Sequence, residues 1–262
     1  MIKNDTYQQL INVVMLAGQI MLESGAETYR VEDTMERICA IYPKQSADTF
    51  VTPTGIFICI HTADKTMLTT IKRVKNRITN LNKIYLVNNI SRELTSGNIS
   101  LAEAFIRLEE VKNQPPPHVI QIILSAVICS FFFALLLGGT LFDGIIASFC
   151  IALIKFIDLQ AKRFEVFSSF ILNLIGGMIC AVFAIFFAEI LNIGTIYGII
   201  IGAIMPLVPG IAITSAIRDM IYGDLVSGTA RAVEAFLIAV AIAAGVGIML
   251  QIWFLLQGGI FA

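Results

Sequence analysis

Polar and apolar positions alternate through the first part of the chain and give way to long apolar runs in the second. Leu10, Val13, Val14, Ala17, Ile20 and Met21 recur at helical spacing, so Asp5–Ser24 is predicted as an amphipathic helix. Ser24-Gly25 breaks it, and Ala26–Ile41 is predicted as a second helix. Thr49–Val51 and Ile56–His61 read as strands around the turn Thr52-Pro53-Thr54-Gly55, where Pro and Gly supply turn geometry. Thr66–Val74 reads as a third strand. Leu81–Thr95 and Ser100–Val111 read as helices, the latter with Ser100 as N-cap and Glu103 completing a capping box. Residues 1–114 are therefore expected to form a small α+β domain.

Pro115, Pro116 and Pro117 mark a sharp change. Consecutive prolines stop a helix and form a stiff extended link, so 115–118 is read as a Pro-rich connector. Beyond it come runs that approach the ~20 apolar residues a membrane-spanning helix needs. Val119–Leu137, Leu141–Ile157, Val166–Ala188, Asn192–Val208 and Ala235–Leu256 are the five candidates. The expected fold is a mainly α membrane protein: a small N-terminal cytoplasmic α+β domain plus about five transmembrane helices over 119–262.

Composition supports the division. Hydrophobic residues make up 57% of the 262 and charged ones only 14%, against ~25% charged in ordinary soluble domains. Residues 1–114 hold 13 of the 18 Lys and Arg, and the remainder holds 5. Lys162 and Arg163 follow the second candidate span, and Arg218 and Arg231 follow the fourth. The turns at Gly138–Thr140 and Glu189–Gly194 carry no Lys or Arg. By the positive-inside rule the N-terminal domain is cytoplasmic and the C-terminus outside, in a multi-pass protein of the cell membrane. No cleavable signal peptide is read at the N-terminus.

The net charge of −1 gives no argument for a nucleic-acid partner. Cys39, Cys59, Cys129, Cys150 and Cys180 lack ligand spacing and are read as reduced, buried, small hydrophobes. His61 and His118 are too scattered for a metal site. A phosphate loop of the GxxxxGK[ST] type is missing, so nothing argues for nucleotide-driven pumping. Without a nucleophile–base pair, metal cluster or cofactor motif, no enzyme and no cofactor are expected.

The chemistry concentrates in Met205–Glu234. Pro206 and Pro209-Gly210 must disturb a helix that is otherwise apolar, and broken helices are tolerated in lipid only where they are buried in protein or line a polar cavity. Transporters use such breaks to bind substrates and ions. Thr214, Arg218, Asp219, Asp224, Ser227, Arg231 and Glu234 follow the break. At membrane depth, Asp219, Asp224 and Glu234 could carry protons and Arg218 or Arg231 could pair with a carboxylate. The competing reading is an ordinary cytoplasmic loop, with Arg231 and Glu234 forming an intrahelical pair. Asp143 and Glu189 are read as surface caps, Asn173 as an interhelical hydrogen bond, and Gly194, Gly198 and Gly202 as a smooth packing face.

Two stretches together resemble the threonine/serine exporter family: Leu16–Ile38 continued by Phe50–Ile58, and Leu207–Ala235. The resemblance implies a secondary transporter that exports small hydrophilic metabolites, threonine and serine or a dicarboxylate such as succinate. It also implies that a chain of this length is the larger subunit of a pair, acting beside a smaller membrane protein, and further oligomerisation is expected. Family-like positions in the polar domain are Ser24, Gly25, Ala26, Glu27, Arg30, Glu32, Thr52, Pro53, Thr54 and Gly55. In the second stretch they include Pro209, Gly210, Arg218, Asp219, Asp224, Gly228, Arg231 and Glu234. Gly25 and Gly55 are read as turn residues, and Glu27 and Arg30 as pairing with each other. A membrane-anchored metabolite sensor is the alternative function.

Overall fold

The computed structural model describes residues 4–42, 46–61, 67–163 and 168–257. The chain divides into two compact units: residues 1–115 with 211–232, and residues 116–210 with 233–262. The division differs from the sequence expectation of one membrane domain over 119–262, because Ile211–Ala232 clusters with the polar unit.

In the polar unit, α1 (Asn4–Glu23) buries the face its spacing predicts: Leu10, Val13, Val14, Ala17, Ile20 and Met21 are all shielded. Gly25 takes a left-handed conformation (φ 82°), which turns the chain into α2 (Thr28–Cys39). Three antiparallel strands follow in the order β1-β2-β3: Ser46–Thr52, Gly55–His61 and Met67–Arg73. Along β2, Ile56, Ile58 and Ile60 face the core while Phe57 is exposed, the period-two pattern of a one-sided sheet. Each buried isoleucine contributes about 1.5–3 kcal/mol. Thr66 of the expected third strand lies outside the described residues.

Helix α3 (Leu81–Thr95) has its predicted bounds, and α4 (Leu101–Lys112) starts at the Ser100 cap, whose hydroxyl accepts the Glu103 N–H. The Glu103 carboxylate goes to Arg107 at 2.7 Å. Two further elements of this unit come from the distant stretch: α9 (Gly210–Ile221) and the first turns of α10 (Leu225–Leu256). Sequence offered a loop for much of this stretch, but its Ala, Ile, Val and Met content supports helix on either side of Gly223, which has φ 95°.

The second unit is built from α5 (Val119–Leu136), α6 (Leu141–Arg163), α7 (Ser169–Ile185), α8 (Ile196–Ile204) and the rest of α10. Phe186–Ile190 prolongs α7 as a wider, π-type turn. Small residues form much of its interior: Ala126, Ala147, Cys150, Cys180 and Ala203. Large ones such as Leu124, Ile128, Phe132 and Phe149 face outward, as lipid permits and water does not. A Cβ on Gly177 would collide with the Ile242 carbonyl, and one on Gly245 with the Leu174 carbonyl, so α7 and α10 meet backbone to backbone.

By length and composition, three helices among the described residues can cross a membrane, α5, α7 with its extension, and α10. A fourth is counted if α8 and α9 form one broken span. The expected fourth span over Asn192–Val208 is not a single helix. Asn192 (φ 54°) and Gly194 (φ 79°) form a turn, and the nine-residue α8 starts at the Thr195 cap. Met205–Leu207 tightens into a 3-10 turn, and the chain is extended at Val208 before Pro209, because proline can neither donate nor tolerate a helical predecessor. Asn173 does not bridge helices; its amide donates to the Ser169 carbonyl, one turn back in α7, at 2.8 Å.

Candidate functional site

The site lies within the polar unit, where α2, the β1 hairpin, α9 and the start of α10 bring the two family-like stretches together. The turn at Gly25 leaves the N-terminus of α2 with backbone amides that lack helical partners, a natural seat for an anion. The Thr28 N–H donates to Asp219 Oδ1 at 3.1 Å, and the Thr28 hydroxyl donates to Asp224 Oδ2 at 3.1 Å. The second Asp219 oxygen lies 3.1 Å from Arg231 Nε. Arg231 Nη2 donates to the Ala26 carbonyl at 2.6 Å. The Asp219 side chain is wholly shielded and that of Arg231 is 6% exposed. Buried charges of this kind survive only when each is matched.

A second, outer pair flanks the first. Glu27 Oε1 accepts from Arg218, and Glu27 Oε2 accepts from Arg30 at 3.3 Å. The expected Glu27–Arg30 pair therefore forms, but half of the carboxylate serves Arg218, 191 residues away in sequence. Burial would raise the Glu27 pKa, yet its own backbone N–H and the Arg30 and Arg218 guanidiniums outweigh that and hold it below the usual value. Tyr29 and Tyr222 stack alongside, with ring centres 4.1 Å apart and planes within 10°.

Glu32 lies one helical turn further on. Its carboxylate accepts the Val51 N–H at 2.7 Å, and the Ser227 hydroxyl donates to the Val51 carbonyl at 3.5 Å. Burial pushes the Glu32 carboxyl up to about 7, opposed by the Val51 hydrogen bond and helped by the negative charges of Asp224, Glu36 and Asp219. The site thus holds a carboxylate that changes charge near neutral pH, beside carboxylates tied to arginines.

Of the residues singled out from sequence, the structure assembles Glu27, Arg30, Glu32, Arg218, Asp219, Asp224, Ser227 and Arg231. Thr52, Pro53, Thr54 and Gly55 form the adjoining hairpin turn, with Thr52 paired to Gly55 and the Thr54 carbonyl accepting the Val74 N–H. Pro209 marks the break, and the Thr214 hydroxyl donates to the Ile211 carbonyl early in α9. Glu234 belongs to the second unit, and Arg231 is engaged by Asp219 and Ala26. Sequence reasoning missed Thr28, Tyr29, Val51 and Tyr222. Thr28 was detectable as the first residue of a helix that opens after a glycine turn. Val51 acts through its backbone and leaves no side-chain signal. Among the described residues no group of three His, Cys, Asp or Glu could hold a metal ion.

Comparison with known proteins bears on the same stretches. The family described as "Putative threonine/serine exporter" matches residues 12–253, nearly the whole chain and both halves of the ionic site. This chain belongs to that family. A curated relative, named "Probable threonine/serine exporter" from Mycobacterium tuberculosis (strain ATCC 25618 / H37Rv), is 22% identical over 248 residues. That alignment covers 93% of this chain and 46% of the relative, so the chain spans about half the length of the curated protein it matches. No solved structure matches it. Family membership and the apolar helices make the protein a multi-pass membrane protein of an exporter family, a class of transporters.

Proposed function

We propose that this chain is one half of a gradient-driven exporter of small hydrophilic metabolites, completed by a smaller membrane-protein partner. The observation that carries the reading is the buried Asp219–Arg231 pair seated on the N-terminus of α2. It ties the segment after the proline break to the polar domain through matched charges. Such a cluster is a device that can exist in two charge states, with Glu32 changing charge near pH 7 and Asp224 next to it. Protonation of Glu32 removes its repulsion with Asp219 and Asp224 and would tighten the hold of α2 on α9 and α10, and that change is how a proton gradient would act on the segment after Pro209.

Five spans, with α6 as the second and α8 with its break as the fourth, a cytoplasmic N-terminal domain over 1–114, a connector at 115–118 and an external C-terminus accompany this reading. An odd number of spans puts the chain ends on opposite sides, so a second such unit in series would run inverted, a common basis of alternating access. Threonine and serine are the favoured substrates, and a dicarboxylate such as succinate is the competing class. A metabolite sensor is the second reading, supported by the position of the ionic cluster within the polar unit.

The test is efflux from vesicles that contain the full chain and its partner. Export of threonine or serine that stops when the proton gradient is collapsed supports the proposal. Vesicles that retain every amino acid and dicarboxylate offered would favour the sensor.

A further inference from the structure

The outer face of the sheet in the polar unit is apolar and open. The register sets Phe50, Phe57 and Ile71 opposite one another on β1, β2 and β3. Ile56, Ile58 and Ile60 point inward, so by strand alternation this row points away from the core. Its side chains are 56%, 39% and 64% exposed, and Met67 on the same face is 68% exposed. The Phe50 and Phe57 rings lie 6.0 Å apart. Single exposed apolar side chains are ordinary, but four on one face of a three-stranded sheet form a patch suited to being covered.

Charge selects what covers it. Arg73 stands on the same face two residues beyond Ile71, with Lys72 and Lys75 beside it, all three exposed. Among the described residues, no hydrogen bond or ion pair engages these three side chains. Asp48, on the far strand of this face, is hydrogen-bonded with His61 at 3.0 Å. The same face of a second copy therefore offers no acidic cluster to meet the cations. An anionic bilayer surface does: Phe, Ile and Met enter the headgroup region, while Lys and Arg meet the lipid phosphates. The apolar helices already hold the chain in a bilayer, and the connector over 115–118 is short. Lipid is thus present at high local concentration, and a modest patch suffices to dock.

We propose that the outer face of this sheet docks on anionic phospholipid, with Phe50, Phe57, Met67 and Ile71 in the headgroup region and Lys72, Arg73 and Lys75 on phosphates. Docking makes lipid charge an input to the unit that holds the ionic site. The proposal does not depend on which substrate is exported.

Cys59 supplies the probe. It is half-buried on the same face, opposite Thr69 in the row between Phe57 and Met67. A nitroxide is attached to Cys59 in the full-length chain carrying Cys129→Ala, since Cys39, Cys150 and Cys180 are buried. The labelled protein is placed in nanodiscs of phosphatidylcholine alone and of phosphatidylcholine mixed with phosphatidylglycerol. Docking predicts that phosphatidylglycerol raises the label's collisions with oxygen, which concentrates in lipid, and lowers those with a water-soluble nickel chelate. Raising salt to 1 M shortens the screening length to about 3 Å and should reverse the shift, a measurement that needs no further variant. Lys72→Glu with Arg73→Glu and Lys75→Glu should abolish the shift, and Phe50→Ser with Ile71→Ser should leave the label in water in both lipids. These side chains are exposed, so both variants should keep the parent's melting temperature. A label that meets the nickel chelate equally in both lipids leaves the face free in water and overturns the proposal. One shielded from both reagents in both lipids is covered by protein, which overturns it too. A phosphatidylglycerol shift that survives both salt and the charge reversals denies the cations their role and does the same.

Discussion

Asp219 in the polar unit and Asp143 in the apolar unit are both completely shielded from solvent, and they are neutralised by different means. Asp219 meets a full positive charge, Arg231, together with one amide of α2. Asp143 meets neutral donors: the Thr140 N–H and hydroxyl at 2.7 and 3.0 Å, and the Thr195 N–H and hydroxyl at 2.5 and 3.1 Å. Thr140 and Asp143 cap α6 reciprocally, and Thr195 caps α8, so one carboxylate joins the positive ends of two helix dipoles. Gly194 and Gly198 leave it room, since a Cβ at either would strike it. Placing an arginine there would have meant desolvating a second ion among apolar helices. The polar unit, which has water at its rim, can hold an ion pair that the apolar unit replaces with dipoles.

The comparison breaks most visibly at the ion pair. Asp219→Asn leaves Arg231 buried without its counter-charge and should lower stability by about 3–5 kcal/mol. The double variant Asp219→Leu with Arg231→Leu should recover much of that loss, measured by thermal unfolding of the purified protein. Asp143→Asn keeps the shape but removes one acceptor oxygen and the charge that favours the helix ends. It should lose about 1–3 kcal/mol, and its loss should be insensitive to any change at Arg231.

Glu32 gives a smaller, pH-dependent effect with a definite sign. It holds its proton more tightly when folded, at about 7, than at its ordinary value of 4.5. Between those pH values the folded state binds more protons, so this group's contribution to stability falls as pH rises from 4.5 through 7 and is level above. Glu32→Gln should flatten that slope, by on the order of 1 kcal/mol after allowance for solvent screening. Smallest of all, Arg37→Ala removes an exposed pair with Asp33 at 2.6 Å and should leave the melting temperature unchanged within error.

Much of the polar unit was legible from sequence because its elements are amphipathic and punctuated: the α1 face, the Thr52–Gly55 turn, the bounds of α3 and the Ser100 cap all follow local rules. The membrane half was legible as a class and less so in detail. Apolar runs show where lipid-compatible helices lie, but all-round hydrophobicity hides where they end. Hence Asn192–Val208 reads as one span when a left-handed turn and a 3-10 turn shorten it to nine residues of α-helix. The proline break was visible. Its destination was not: nothing local to Arg218, Asp219 or Arg231 says that their partners are Glu27, Thr28 and Ala26. The pairing is long-range, and only the likeness of both stretches to one family hinted that they belong together. Asp143 reads from sequence as a surface cap of α6; it does cap that helix but is wholly buried, and its reach to Thr195 depends on a tight approach of glycines that spacing alone does not reveal.

The central claim is that the charged cluster uniting α2 with α9 and α10 is the working part of an exporter. Threonine efflux with Asp224→Asn measures it most directly, because this carboxylate accepts the Thr28 hydroxyl from a partly exposed position and its neutralisation should leave folding intact. With equal amounts of protein and partner in the vesicles, the variant is expected to lose export while matching the wild type in thermal stability. Export at the wild-type rate would contradict the claim and reduce the cluster to a structural tie.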